Sequence, residues 1–197
     1  KAGEDVAILP MYLPLMLDEE PLEGLKDTPV FFGGINMYLQ QKMSLFRNTP
    51  AFIDRLLNRT GLLRWAARHS HMTSARVHGK MCLEMLEIEG SGFKKEFDKL
   101  LDWLEEIGKP EVVVLSTALQ AGLADQIKER LKVPVVLFFQ GEDSFLDGLP
   151  EPYKSRCWSR MGMRLASADM LISPSHFYSR YMEQRLGFSD GKIAVMH

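Results

Sequence analysis

The chain has 197 residues, 46% hydrophobic and 25% charged, with 24 basic against 26 acidic side chains and a net charge of −2. A chain this long hides roughly 70% of its unfolded surface, so one domain with a sizeable core is expected, and the lack of a basic excess argues against a nucleic-acid partner. Two cysteines, Cys82 and Cys157, make neither a disulfide framework nor a metal knuckle, and no apolar run approaches the ~20 residues of a membrane helix. The opening residues Lys1 to Asp5 are charged and followed by no signal-peptide core, so a reducing, cytoplasmic setting is expected.

In chain order, Val6 to Leu9 is predicted as a strand ending at Pro10, and Val30 to Phe32 as a short second strand after the acidic loop Asp18 to Asp27. From Asn36 to Ile107 the apolar spacing is helical, with breaks near Asn48 to Pro50, Asn58 to Gly61 and Gly90 to Gly92. This block is inserted into, or laid against, a sheet. From Glu111 onward short apolar runs alternate with helical stretches. Strand Val112 to Leu115 precedes helix Ala118 to Leu131, and strand Val135 to Phe139 precedes a polar loop and a helix around Pro152 to Ala166. Strand Met170 to Ile172 precedes helix Ser175 to Leu186, and Ile193 to Met196 is the last strand. That alternation predicts an α/β fold, a doubly wound parallel sheet with right-handed crossovers.

Local signals agree. Lys132, Val133 and Pro134 break one helix and launch the next strand, Ser173 to Ser175 offers a serine cap, and Gly187 stands as a stop after Leu186. The chain opens on what reads as a helix-to-strand connection and stops one residue past a strand. An α/β domain rarely does either, so a piece of a longer protein is expected.

Ligands of open α/β sheets gather outside the carboxyl ends of the strands, which directs attention to the loops there. Gly33 and Gly34 with Asn36 precede a helical stretch, where backbone N–H groups can approach an anionic or hydroxyl-rich ligand; a tight turn needing positive φ is the competing reading. Ser116 and Thr117 put hydroxyls over the strand Val112 to Leu115, and are equally ordinary helix caps. Gln140, Gly141, Glu142 and Asp143 follow the most hydrophobic strand. Carboxylates at such a place cost desolvation unless paired or wet, so a ligand site and a solvated loop are both open readings; adjacent side chains diverge, so recognition of sugar hydroxyls or an amine suits them better than a catalytic dyad. Ser173, Ser175 and His176 lack the Gly-x-Ser-x-Gly frame of a nucleophile elbow, which leaves Ser175 a cap.

Other motifs point nowhere in particular. His69 and His71, two apart, do not form a helical metal pair, and Arg59, Arg64 and Arg68 with Trp65 form a basic helix face whose pattern is too weak to claim a membrane. The Asn58 sequon has no meaning without secretion, and neither a Walker loop nor G-x-G-x-x-G occurs.

Five stretches, taken in their order and spacing, resemble a known family: Pro29 to Lys42 (PVFFGGINMYLQQK), Val113 to Ala124 (VVLSTALQAGLA), Val135 to Asp143 (VVLFFQGED), Leu149 to Tyr153 (LPEPY) and Asp169 to Ser175 (DMLISPS). They are similar to the N-terminal domain of bacterial glycosyltransferases of family 4, retaining enzymes of the GT-B type, in a subgroup with a helical insertion after the second strand. The resemblance spans nearly the whole chain. It implies a Rossmann-like domain that holds the acceptor and faces, across a cleft, a second domain that holds a nucleotide sugar. By that pattern the first strand and its glycine-rich loop precede Lys1 and the second domain follows His197.

The resemblance also implies a hexosyl transfer with retention, no cofactor beyond the nucleotide-sugar co-substrate, and no metal. Gln140 fills a position where many relatives carry a histidine near the transferred sugar; glutamine can donate and accept but not become charged. The glutamates that bind the donor belong to the second domain, so no catalytic carboxylate is assigned to this chain. Gly33, Gly34, Asn36, Ser116, Thr117, Gln140, Gly141, Glu142, Asp143 and Ser175 are then the residues expected to line the acceptor side of the cleft. The rival from another class is a non-catalytic α/β binding domain whose block Met37 to Ile107 is a partner surface.

Overall fold

The computed structural model describes residues 6–9 and 75–196. The chain divides into two units, Lys1–His71 with Lys95–Leu100, and Met72–Lys94 with Leu101–His197. The sheet belongs to the second. The strand expected at Val30 to Phe32, the helical block before Ala75, and Gly33, Gly34 and Asn36 lie outside the described residues. Val6–Leu9 is not a strand: it has no ladder among the described residues, and Val6 and Ile8 are 73% and 76% exposed. An apolar run becomes a strand only where a neighbouring strand takes its backbone groups.

The described elements are α1 (Ala75–Glu87), α2 (Lys94–Ile107), β1 (Val113–Leu115), a 3₁₀ segment (Ala118–Leu123), α3 (Ala124–Leu131), β2 (Val135–Phe138), α4 (Glu142–Asp147), α5 (Tyr153–Leu165), β3 (Met170–Ser173), α6 (His176–Leu186) and β4 (Ile193–Val195). The break between α1 and α2 falls at the expected glycines, where Gly90 takes a left-handed φ of +73°.

The four strands are all parallel and lie in the order β1-β2-β3-β4. The fold is therefore α/β and Rossmann-like. Among the described residues the sheet is wound in one direction only, and by the right-handed rule its three crossovers cover the same face. Registry makes Leu115, Leu137, Leu171 and Ile193 a continuous row across all four strands, and each is buried. Runs of Val, Ile and Leu form these short strands because their branched side chains pack well on a pleat.

Two expectations need correction. Ala118 to Leu131 is not one helix, because its first six residues wind as 3₁₀ before α3 begins. The tighter turn accompanies a close approach: a Cβ on Gly122 would stand 2.2 Å from the Met85 carbonyl oxygen, so the segment lies directly on the backbone of α1. The polar loop after β2 is a six-residue helix, α4, entered through Gly141 at φ +91°. That left-handed turn suits glycine, and it points the next residue, Glu142, inward to 3% exposure.

The helices are tied to the sheet by named polar contacts. Arg164 on α5 donates from Nε to the Leu86 carbonyl (3.2 Å) and from Nη1 to Asp125 (2.6 Å), joining α1, α3 and α5. Ser179 donates to the Ile193 carbonyl (2.9 Å), and the Ile193 N–H donates to buried Glu183 (2.8 Å), seating β4 against α6. These contacts stiffen the frame on which the strand ends stand.

Candidate functional site at the carboxyl edge of the sheet

Three parallel strands end side by side, and the residues just past them meet. After β1 come Ser116 and Thr117; after β2 come Gln140 to Asp143; after β3 come Ser173 to Tyr178. At their centre is Glu142. Its Oε1 accepts from the Thr117 hydroxyl (2.7 Å) and the Ala118 N–H (3.0 Å), and its Oε2 from the Gln140 N–H (2.9 Å). The Tyr178 hydroxyl is 3.5 Å from the same Oε2 and 2.7 Å from Asp143 Oδ1. One buried carboxylate thus joins the first two loops and touches the helix that follows the third strand.

The physical logic is that of a satisfied buried charge. An ionised carboxyl out of water is costly unless donors surround it, and three close donors do so here, two of them backbone N–H groups. Glu142 and Asp143 occupy the first turn of α4, where a helix favours negative charge. The Tyr178 phenol has a pKa pushed up from its ordinary value, by burial first, then by its hydrogen bond to Asp143 and the charge of Glu142. It remains a donor throughout the physiological range.

The expected residues now separate into two groups. Thr117 and Glu142 are engaged within the chain: the Thr117 oxygen donates to Glu142 and also accepts from the Leu119 N–H (3.3 Å) as the cap of the 3₁₀ segment. Ser175 caps α6, its oxygen accepting from the Tyr178 N–H at 3.1 Å. Gly141 supplies the turn. Ser116 and Gln140 are exposed at adjacent strand ends, and neither side chain has a hydrogen-bond partner among the described residues. Asp143 is half-buried, with Oδ1 held by Tyr178 and Oδ2 unengaged there. The edge therefore presents a hydroxyl, an amide and one carboxylate oxygen, backed by a rigid hydrogen-bonded layer.

Tyr178 is the residue missing from the expectations. Its partners lie 35 and 36 residues away, and a tyrosine one turn into a helix carries no local mark of that.

Elsewhere, an open groove of about 410 Å³ between α5 and α6 is lined by Trp158, Ser159, Gly162, Met163, Arg185 and Leu186. Its Arg185 stacks over Trp158, 4.1 Å from the ring centroid, and is paired with Asp147. Among the described residues no group of three or more His, Cys, Asp or Glu side chains could hold a metal ion, and no helix is long and apolar enough to cross a membrane.

The family model described as Glycosyltransferase Family 4 matches residues 89–197, which takes in the whole sheet and every residue of the edge cluster just described. No curated protein and no solved structure matches the chain.

Proposed function

Since the chain belongs to Glycosyltransferase Family 4, we propose that it is the acceptor-binding domain of a retaining GT-B enzyme that transfers a hexose from a nucleotide sugar to a carbohydrate or small-molecule acceptor. The observation that carries this reading is the cluster of unengaged polar groups at the carboxyl edge of β1 and β2, inside the matched region.

Ser116, Gln140 and Asp143 read acceptor hydroxyls. A hydroxyl and an amide each donate and accept, and a carboxylate only accepts, so the three distinguish the orientation of a sugar's hydroxyl groups. Thr117, Gly141, Glu142 and Ser175 hold that surface in place. Gly33, Gly34 and Asn36 are proposed as acceptor-binding residues on the family resemblance alone. Fixed groups of this kind help catalysis by holding the acceptor oxygen near the anomeric carbon and by stabilising charge as the oxocarbenium ion develops, without solvent having to reorganise. Gln140 stays neutral at every pH, so it contributes hydrogen bonds and no charge.

The nucleotide sugar is a co-substrate bound mainly by a second domain, following the two-domain pattern of such enzymes. The reading calls for no metal and no other cofactor, and a bacterial, cytoplasmic enzyme suits two buried thiols left as free cysteines.

The test is transfer by the full-length protein from a panel of nucleotide sugars to monosaccharides and their octyl glycosides, read by product mass. The proposal expects one donor to give a product whose anomeric configuration matches the donor's. No transfer and no donor hydrolysis across the panel would overturn it in favour of a non-catalytic binding domain.

A further inference from the structure

We propose that Tyr178 is a positioning residue whose hydroxyl orients the Asp143 carboxylate toward the acceptor; this rests on the acceptor-edge reading above. The Tyr178 ring is fixed without help from its hydroxyl. Its backbone N–H is held by the Ser175 cap at 3.1 Å. The ring of Phe139, buried at the end of β2, meets it at 6.4 Å between centroids and 75°, and Tyr181 stacks on it at 6.1 Å and 26°. Packing from two elements therefore sets where the phenol oxygen stands.

That oxygen has one proton to give and two carboxylates near it. At 2.7 Å Asp143 receives it, because the 3.5 Å approach to Glu142 lies beyond a good O–H···O bond, and Glu142 already has three closer donors. Asp143 is thereby held by one oxygen while the other has no partner among the described residues. An aspartate left alone on a surface samples several rotamers, and each freedom lost on binding weakens affinity. With the first oxygen held in advance, the second presents its lone pairs in a set direction before the acceptor arrives.

The consequence separates two adjacent acidic residues of like composition. Glu142 faces inward and orders the loops, and Asp143 faces outward and meets the ligand, with Tyr178 between them.

Tyr178→Phe removes the hydroxyl and keeps the ring and its packing. The experiment uses the full-length protein, the nucleotide sugar that serves it, and the best acceptor among glucose, mannose, galactose, N-acetylglucosamine and their octyl glycosides. Y178F should raise the acceptor KM about five-fold, the scale of one ordinary net hydrogen bond, while kcat changes little. Asp143→Ala should raise it at least as much, and the double variant should match D143A alone, since a tyrosine that acts through Asp143 has nothing left to orient. An unchanged acceptor KM in Y178F, a fall in kcat alone, or effects that multiply in the double variant would overturn the role. A wild-type protein that transfers to none of these acceptors overturns the acceptor-domain reading itself, and with it this inference, before any variant is made.

Discussion

Thr117 donates its hydroxyl to Glu142 at 2.7 Å across 25 residues of sequence, and together with the Ala118 N–H on the same oxygen (3.0 Å) it closes the loop after β1 onto the loop after β2. The other donors to the same carboxylate are backbone N–H groups, which no substitution of their own side chains removes. The carboxylate is thus the one member of the cluster whose loss frees both loops together.

Glu142→Gln should therefore destabilise the domain by about 2 to 3 kcal/mol, because an amide NH₂ must face an N–H or O–H donor on one side and leaves it buried and unpaired. Urea unfolding monitored by circular dichroism would measure it. Thr117→Ser keeps the donor and the cap, and should cost well under half as much.

The order of these residues in space was only partly legible beforehand. The strands were, since parallel strands buried on one or both faces read as plain apolar runs such as Val135 to Phe138. The short helix α4 was not, because Gly141-Glu142-Asp143-Ser144 has the composition of a loop, and six residues carry no helical period. Nor could composition separate Glu142 from Asp143. Which of two neighbouring acids is buried depends on the left-handed turn at Gly141 and on donors brought in from Thr117 and Ala118. Tyr178 was invisible for the same reason, its role being set by contacts between distant segments. Val6 to Leu9 differs in the opposite direction, an apolar run that forms no strand and has no ladder partner among the described residues.

Gly122→Ala is expected to be among the most damaging single-methyl changes in the domain. Its Cβ would stand 2.2 Å from the Met85 carbonyl oxygen and 2.6 Å from that of Leu86, both backbone atoms of α1 that cannot swing aside. Overpacking of this kind costs roughly 1 to 3 kcal/mol and occasionally more. Thermal unfolding should show a clear fall in Tm. An unchanged Tm would contradict this close approach of α1 to the 3₁₀ segment.

Asp169 links stability to pH. Its carboxylate accepts from the Lys128 ammonium (2.8 Å) and the Val135 N–H (2.8 Å), bridging α3 to the starts of β2 and β3. The Lys128 hydrogen bond foremost, then that of Val135, holds its pKa below the ordinary 3.8. A carboxyl with a lowered folded-state pKa stabilises fully above the unfolded value and loses that contribution as pH falls through the folded one. The side chain is 42% exposed, so solvent screens the pair and the effect stays below about 1 kcal/mol. Asp169→Asn should thus be slightly less stable than wild type at pH 7, with the gap closing as pH falls below 3.8. A gap that persists or widens in acid would show that the charge is not the source.

The site proposed above is divided, with the acceptor edge on this chain and the donor on a second domain. Isothermal calorimetry on this chain and on the full-length protein, titrated with a panel of nucleotide sugars, tests it most directly. One nucleotide sugar should bind the full-length protein, and none should bind residues 1–197 alone with comparable affinity. Binding of equal strength to both would contradict the division, and no binding to either would contradict the glycosyltransferase itself.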